Sequence, residues 1–203
     1  MIRPANEDEF AKVNAKFITA WRLEKGPCPS VYQVFVITNP TLQQRWKAYK
    51  WKLQNQSVEE HFHGTTVTCN ITATEALCND GNCGICGISS TGFDTNFIRN
   101  NIDFQRFGNG FYLAPNSSKC HDYTQGANGF RAMLLCDVCP GRKYPLERNS
   151  QQLKGPPPGY DSVYGQVGCK LNYPEIVVYN SDAVMPRYII VYRKGGIKHP
   201  LAN

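Results

Sequence analysis

Apolar residues at Phe10, Val13, Phe17 and Trp21 recur at helical spacing, which predicts an amphipathic helix that ends before Gly26-Pro27. The run Val31-Tyr32-Gln33-Val34-Phe35-Val36-Ile37 is β-branched and aromatic and reads as a strand. Asn39-Pro40 then supplies a cap and a first-turn proline for a second helix, whose stripe is Leu42, Trp46, Tyr49 and Leu53. From Thr66 to Asn109 the chain is rich in Cys, Asn, Gly, Ser and Thr and reads as loop, with one short helix near Phe93 to Ile98. Phe130 to Val138, Glu175 to Tyr179 and Tyr188 to Tyr192 read as later strands, bounded by Gly, Pro or Asn. Lys154-Gly155-Pro156-Pro157-Pro158-Gly159 is too proline-rich for regular structure and reads as a surface loop. Helices first and strands later point to an α+β fold rather than a βαβ series, and no Rossmann glycine fingerprint is present.

The 203 residues fit one domain, 1–203, and the hydrophobic fraction of 41% is ordinary for a folded protein. No apolar run reaches the roughly 20 residues that span a bilayer, and the first residues lack the apolar core of a secretion signal, so an intracellular protein, nuclear or cytoplasmic and with no membrane partner, is expected. On that expectation the sequons at Asn55, Asn70 and Asn116 carry no weight. The net charge of +6 suits a nucleic-acid partner or the phosphates of a dinucleotide, and composition does not separate the two. Arg45, Lys47, Lys50 and Lys52 concentrate part of it, either as the solvated face of the second helix or as a phosphate-binding patch.

Three separated segments carry chemistry: His63-Gly64-Thr65, then Gly110-Phe111-Tyr112-Leu113-Ala114 running on to Tyr123, then Glu175 at the head of an apolar run. Breaking the bond between nicotinamide and ribose develops oxocarbenium character, which a carboxylate such as Glu175 stabilises. Tyrosines such as Tyr112 and Tyr123 can sandwich a flat ring, and a histidine such as His63 can bond a ribose hydroxyl beside a glycine that admits close approach. Each taken alone is as readily structural: a core tyrosine, a packed histidine, a solvated glutamate at a strand end.

Together the segments resemble the poly(ADP-ribose) polymerase family, the diphtheria-toxin-like ADP-ribosyltransferases with a His, Tyr, Glu triad. Gly108-Asn109-Gly110-Phe111-Tyr112-Leu113-Ala114 resembles the family's Gly-x-Gly-hydrophobic-Tyr-hydrophobic-Ala, and Ser117-Ser118-Lys119, Tyr160-Asp161-Ser162-Val163 and Tyr173-Pro174-Glu175 follow in the family's order. The resemblance implies a split antiparallel β-sheet fold with peripheral helices and a cleft for NAD+ as substrate. It implies that His63 bonds the adenosine ribose, Gly64 the nicotinamide carboxamide, and that Tyr112 and Tyr123 flank the nicotinamide. Thr65 completes the first motif. Glu175 would bond the ribose 2′-hydroxyl, stabilise the cation and permit, without requiring, chain elongation. Where the family commonly has a serine that bonds the carboxamide, this chain has Cys120, a weaker hydrogen-bond partner, with Ser118 nearby.

Nine cysteines exceed what packing needs. Cys78, Cys83 and Cys86 form CxxxxCxxC in a polar stretch, and with Cys69 they give four thiolates for a structural zinc site within 66–92. Tankyrases, in the same family, carry a zinc motif in the corresponding region with a different spacing. Cys136 and Cys139 read as core thiols. The function implied is transfer of ADP-ribose from NAD+ to a macromolecular acceptor, a protein foremost, with nucleic acid also open. The rivals are an NAD+ glycohydrolase and a non-catalytic module that binds NAD+ or ADP-ribose.

Overall fold

The computed structural model describes residues 1–94, 105–168 and 171–193. Helix α1 (Glu7–Thr19) opens on a capping box in which the Asn6 side chain accepts the Glu9 N–H while Glu9 accepts the Asn6 N–H, and it buries Val13 and Phe17. After a 3-10 turn at Leu23–Lys25 comes β2 (Ser30–Ile37), which pairs with the short N-terminal strand β1 (Ile2–Pro4). Helix α2 (Pro40–Lys52) starts as expected, with Asn39 accepting the Leu42 N–H and Pro40 in the first turn. Of its stripe, Leu42 and Leu53 are buried, whereas Trp46 and Tyr49 are only half-buried.

Strand β3 (Glu59–Gly64) carries the first motif, which the residue pattern alone does not mark as a strand. The stretch expected to be loop holds two helices, α3 (Ile71–Thr74) and α4 (Gly84–Thr91). Their order is tertiary: Ile71, Ile85 and Cys86 are buried against the core, which polar composition does not announce. Of the helix expected near Phe93, Phe93 and Asp94 are not helical, and the rest lies outside the described residues. Then come β4 (Phe111–Leu113), α5 (Ser117–His121), β5 (Arg131–Val138), β6 (Lys143–Leu146), β7 (Ser162–Gly165), β8 (Glu175–Val178) and β9 (Val184–Arg193).

The strands form two sheets, one of five in the order β1-β2-β9-β5-β3 and one of four in the order β4-β8-β7-β6. The expected α+β fold with a split sheet is present. One detail differs from the all-antiparallel expectation: β6 runs parallel to β7, because the connection between them is long enough to return the chain. The alternation of side chains builds three layers. Leu134 and Cys136 of β5 and Ile189 and Val191 of β9 meet Leu113 of β4 and Ile176 and Val178 of β8 between the sheets. On the far face of the larger sheet, Met133, Leu135, Ile190 and Tyr192 pack against Val13 and Phe17 of α1. On the far face of the smaller sheet, Val163 and Val177 pack with Phe107. Residues 132–136 of β5 and 176–178 of β8 read as unbroken apolar runs because both faces of these strands are covered.

The two sheets touch edge to edge at β3 and β4, through an isolated antiparallel pairing of Phe62 with Ala114. The Phe62 N–H donates to Ala114 O at 2.8 Å and the Ala114 N–H to Phe62 O at 3.0 Å. All three chemistry-bearing segments converge beside that seam.

Candidate active site

Tyr112 lies opposite Val177 in the β4–β8 pairing, and Glu175 lies two residues before Val177, so Tyr112 and Glu175 share one face of the smaller sheet. Glu175 is 4% exposed despite its place at the head of a strand. Its Oε2 is paired with Lys119 Nζ of α5, while its Oε1 is buried with no hydrogen-bond partner. A buried carboxylate oxygen without a partner is costly unless a ligand completes it. Sequence reasoning gives Lys119 a place in a motif and no role. The signal was available in principle, since a lysine beside a serine pair in a site that needs a carboxylate is seldom left without a counter-charge.

The Tyr112 hydroxyl donates to Gly108 O (2.8 Å) and accepts the Phe107 N–H (2.9 Å), which locks the ring. Gly108 has φ +71°, and an added Cβ there would lie 1.8 Å from Leu153 O, so the tight turn before β4 requires glycine. His63 Nδ1 is 2.9 Å from Tyr112 O. Because a carbonyl only accepts, Nδ1 carries the proton and Nε2 is left as an acceptor, the arrangement needed to receive a ribose hydroxyl. Burial pushes the imidazole pKa below its ordinary value, with the Tyr112 carbonyl opposing, so the ring is neutral near pH 7. The His63 ring also meets Phe93 edge-on, with centroids 4.8 Å apart.

Helix α5 closes the site from the side of β3. An added Cβ on Gly64 would lie 1.9 Å from Cys120 O, so strand and helix backbones are in direct contact there. Cys120 is buried, and its thiol donates to Phe62 O at 3.1 Å, directed at the seam. Burial raises the thiol pKa to about 12 against the opposing effects of Lys119 and of the Ala114 and Gly64 N–H groups. Ser118, expected from the sequence near the nicotinamide, is fully buried and its hydroxyl accepts the Arg22 N–H at 3.2 Å. Its neighbour Ser117 donates to Phe17 O at 2.8 Å, so both hydroxyls fasten α5 to the end of α1. Tyr123, just beyond α5, keeps 52% of its surface exposed, as a stacking face would. Thr65 packs against Gly84 of α4, where an added Cβ would lie 2.1 Å from its hydroxyl oxygen.

A clasp that the sequence does not reveal ties the 3-10 turn at Leu23–Lys25 to the end of α5. Lys25 bonds Asp122 at 2.6 Å and lies over the Tyr173 ring, and the Tyr173 hydroxyl donates to Glu24 at 2.9 Å. Nothing in the residue pattern brings position 25 to position 122.

The sulfurs of Cys69, Cys78, Cys83 and Cys86 all lie within 4.8 Å of one another. Cys69 Sγ is 3.9 Å from Cys83 Sγ and 3.6 Å from Cys86 Sγ. Cys136 and Cys139 are fully buried and free, in keeping with core thiols. Among the described residues no helix is long and apolar enough to cross a membrane.

The sequence model of the poly(ADP-ribose) polymerase catalytic domain matches residues 7–168. Protein mono-ADP-ribosyltransferase PARP4 of Homo sapiens is 33% identical over 101 residues, covering 46% of this chain and 6% of that protein. The Mus musculus PARP4 is 32% identical over 112 residues, 50% of this chain and 6% of its own length. Protein mono-ADP-ribosyltransferase PARP3 of Homo sapiens is 39% identical over 62 residues, 29% of this chain and 12% of that protein. The chain thus matches a small part of each relative's length. A match over residues 7–168, most of the chain, in an α+β split-sheet fold makes this chain a member of the poly(ADP-ribose) polymerase catalytic domain family.

Proposed function

We propose that the chain binds NAD+ at the seam and transfers its ADP-ribose to a macromolecular acceptor, a protein foremost, releasing nicotinamide. The supporting observation is Glu175, a buried carboxylate with one oxygen held by Lys119 and the other without a partner, on the same sheet face as Tyr112. In this reading Oε1 accepts the nicotinamide-ribose 2′-hydroxyl, and the carboxylate stabilises the oxocarbenium as the glycosidic bond lengthens. Tyr112 and Tyr123 flank the departing ring, Gly64 offers its backbone to the carboxamide, and His63 Nε2 receives an adenosine-ribose hydroxyl. The relatives' names favour transfer of a single unit.

Glu175→Gln should lower transfer from labelled NAD+ by about a hundredfold or more, while calorimetric NAD+ binding stays within about tenfold. Full transfer by that variant would remove Glu175 from the mechanism. Product mass on an intact acceptor distinguishes one unit from a ladder. Cys120 favours a second reading, a module that binds without turnover, because its thiol is directed at Phe62 O. Binding without nicotinamide release would support the module, and release without labelled macromolecule would support a glycohydrolase.

A structural zinc on Cys69, Cys78, Cys83 and Cys86 belongs to the same proposal. Tetrahedral zinc with thiolate bonds of about 2.3 Å sets sulfurs about 3.8 Å apart, and the Cys69 separations of 3.9 and 3.6 Å fit that donor set. Bound there, zinc would cross-link α4 to the chain just before α3 and add to the order that Ile71 and Ile85 already give this segment. Metal analysis should give about one zinc per chain, and none after joint Cys83→Ser and Cys86→Ser substitution; unchanged zinc would place the metal elsewhere.

A further inference from the structure

Trp51 is 75% exposed, in the last turn of α2 and about half a turn round the helix from buried Leu42. Lys47 sits one turn before it on the same face, exposed Lys52 follows it, and the ammonium of Lys50 is turned the other way, over the Trp46 ring at 5.7 Å from its centroid. From Asn39 to Val58 the chain has no acidic residue. Arg45 is tied to Asp182 at 2.6 Å, but among the described residues no ion pair involves Lys47, Lys50 or Lys52. By contrast, Arg3, Lys16, Lys25, Lys119 and Lys143 each face a carboxylate.

Lysines in the last turn complement the helix dipole, which accounts for Lys50 and Lys52. It does not account for Lys47, nor for a large aromatic ring left in water among cations that face no carboxylate. A flat exposed ring accompanied by exposed Lys47 and Lys52 matches a partner that has both a π-face and a phosphate every few ångströms. An acidic peptide would satisfy the charges but leave the ring without a stacking partner.

We propose that the solvent face of α2 around Trp51 binds single-stranded nucleic acid, with a base stacked on the indole and phosphates met by Lys47 and Lys52. The surface is separate from the NAD+ site, so its binding needs no NAD+ and its failure leaves the proposed transfer untouched.

The test is a fluorescence titration of the whole chain with short oligothymidylate and oligouridylate at low and moderate salt, with a polyglutamate of equal length as comparison. Binding of either oligonucleotide is expected, with quenching that Trp51→Ala removes and an affinity loss of about fivefold to a hundredfold. Lys47→Gln with Lys52→Gln should flatten the dependence of log K on log salt, by about 0.7 for each phosphate no longer neutralised. All three positions are exposed, and an unchanged melting temperature confirms that the variants fold. Two results overturn the proposal: affinity in Trp51→Ala within twofold of the parent, or polyglutamate binding as tightly as the oligonucleotides.

Discussion

Cys120 separates this site from the commoner arrangement by one atom. A thiol is a poor hydrogen-bond donor, and here burial raises its pKa to about 12, so it stays protonated and bonds Phe62 O rather than behaving as a reactive thiolate. Cys120→Ser substitutes a stronger, shorter-reaching donor at the same place. It should tighten nicotinamide binding by about three- to tenfold in calorimetry, a hydrogen bond being worth about 0.5–1.5 kcal/mol net; unchanged affinity would mean that the carboxamide does not reach this position. His63 gives a pH signature. Folding lowers its pKa, so its contribution to stability is complete above the unfolded value of about 6.5 and is lost as pH falls toward the folded value. The denaturant midpoint should therefore drop between about pH 7 and 5.5 in the parent and drop less in His63→Gln. Equal drops in the two proteins would assign that titration to another group.

At the level of elements, Gly64 and Gly87 make a matched pair. An added methyl at Gly64 meets a backbone oxygen at 1.9 Å, whereas one at Gly87 in α4 meets nothing within 4 Å. Gly64→Ala should destabilise the domain by about 1–3 kcal/mol through overpacking and disturb NAD+ binding as α5 is pushed off β3. Gly87→Ala should be neutral or raise stability by up to about 1 kcal/mol, as alanine suits a helix interior. Thermal melts of both check the contrast, and similar melts would mean that α5 yields freely. The same elements show what is legible in advance. Helix α1, strand β2 and the start of α2 are readable because their signals are local: spacing, β-branching, a cap and a proline. Helix α4 is not, since Ile85 and Cys86 are held by core residues far along the chain. The motif residues His63, Tyr112 and Glu175 are legible from order and spacing, while the Lys25–Asp122 clasp depends on an ion pair between segments 97 residues apart.

Across the whole molecule, carboxylates paired with cations tie distant parts together and set the acid limit. Glu59 is held near pKa 2, first by His61 and then by Lys143, which joins β3 to β6. A carboxylate so depressed contributes stability above its unfolded value of about 4.3 and loses it as pH falls toward about 2. An acid titration followed by circular dichroism should therefore show a cooperative loss of structure below about pH 4, and Glu59→Gln should flatten the upper part of that curve. Metal removal acts on the same scale. If zinc holds the four thiols, a chelator should lower the melting temperature of the entire chain, because Gly84 of α4 buttresses Thr65 beside the site.

The seam between the sheets carries one further consequence. Continued by the antiparallel rule, the pairing of Phe62 with Ala114 would next set Gly64 against Tyr112. That rung is interrupted, for the carbonyl of Tyr112 is taken by the imidazole of His63 instead. The histidine thus acts as a wedge that leaves a ladder unfinished by one amide, and a carboxamide is the smallest piece of peptide chemistry able to complete it. If a carboxamide binds there as proposed, selection for amides over the corresponding acids would be a property of strand pairing, with the His63 side chain setting where the ladder stops.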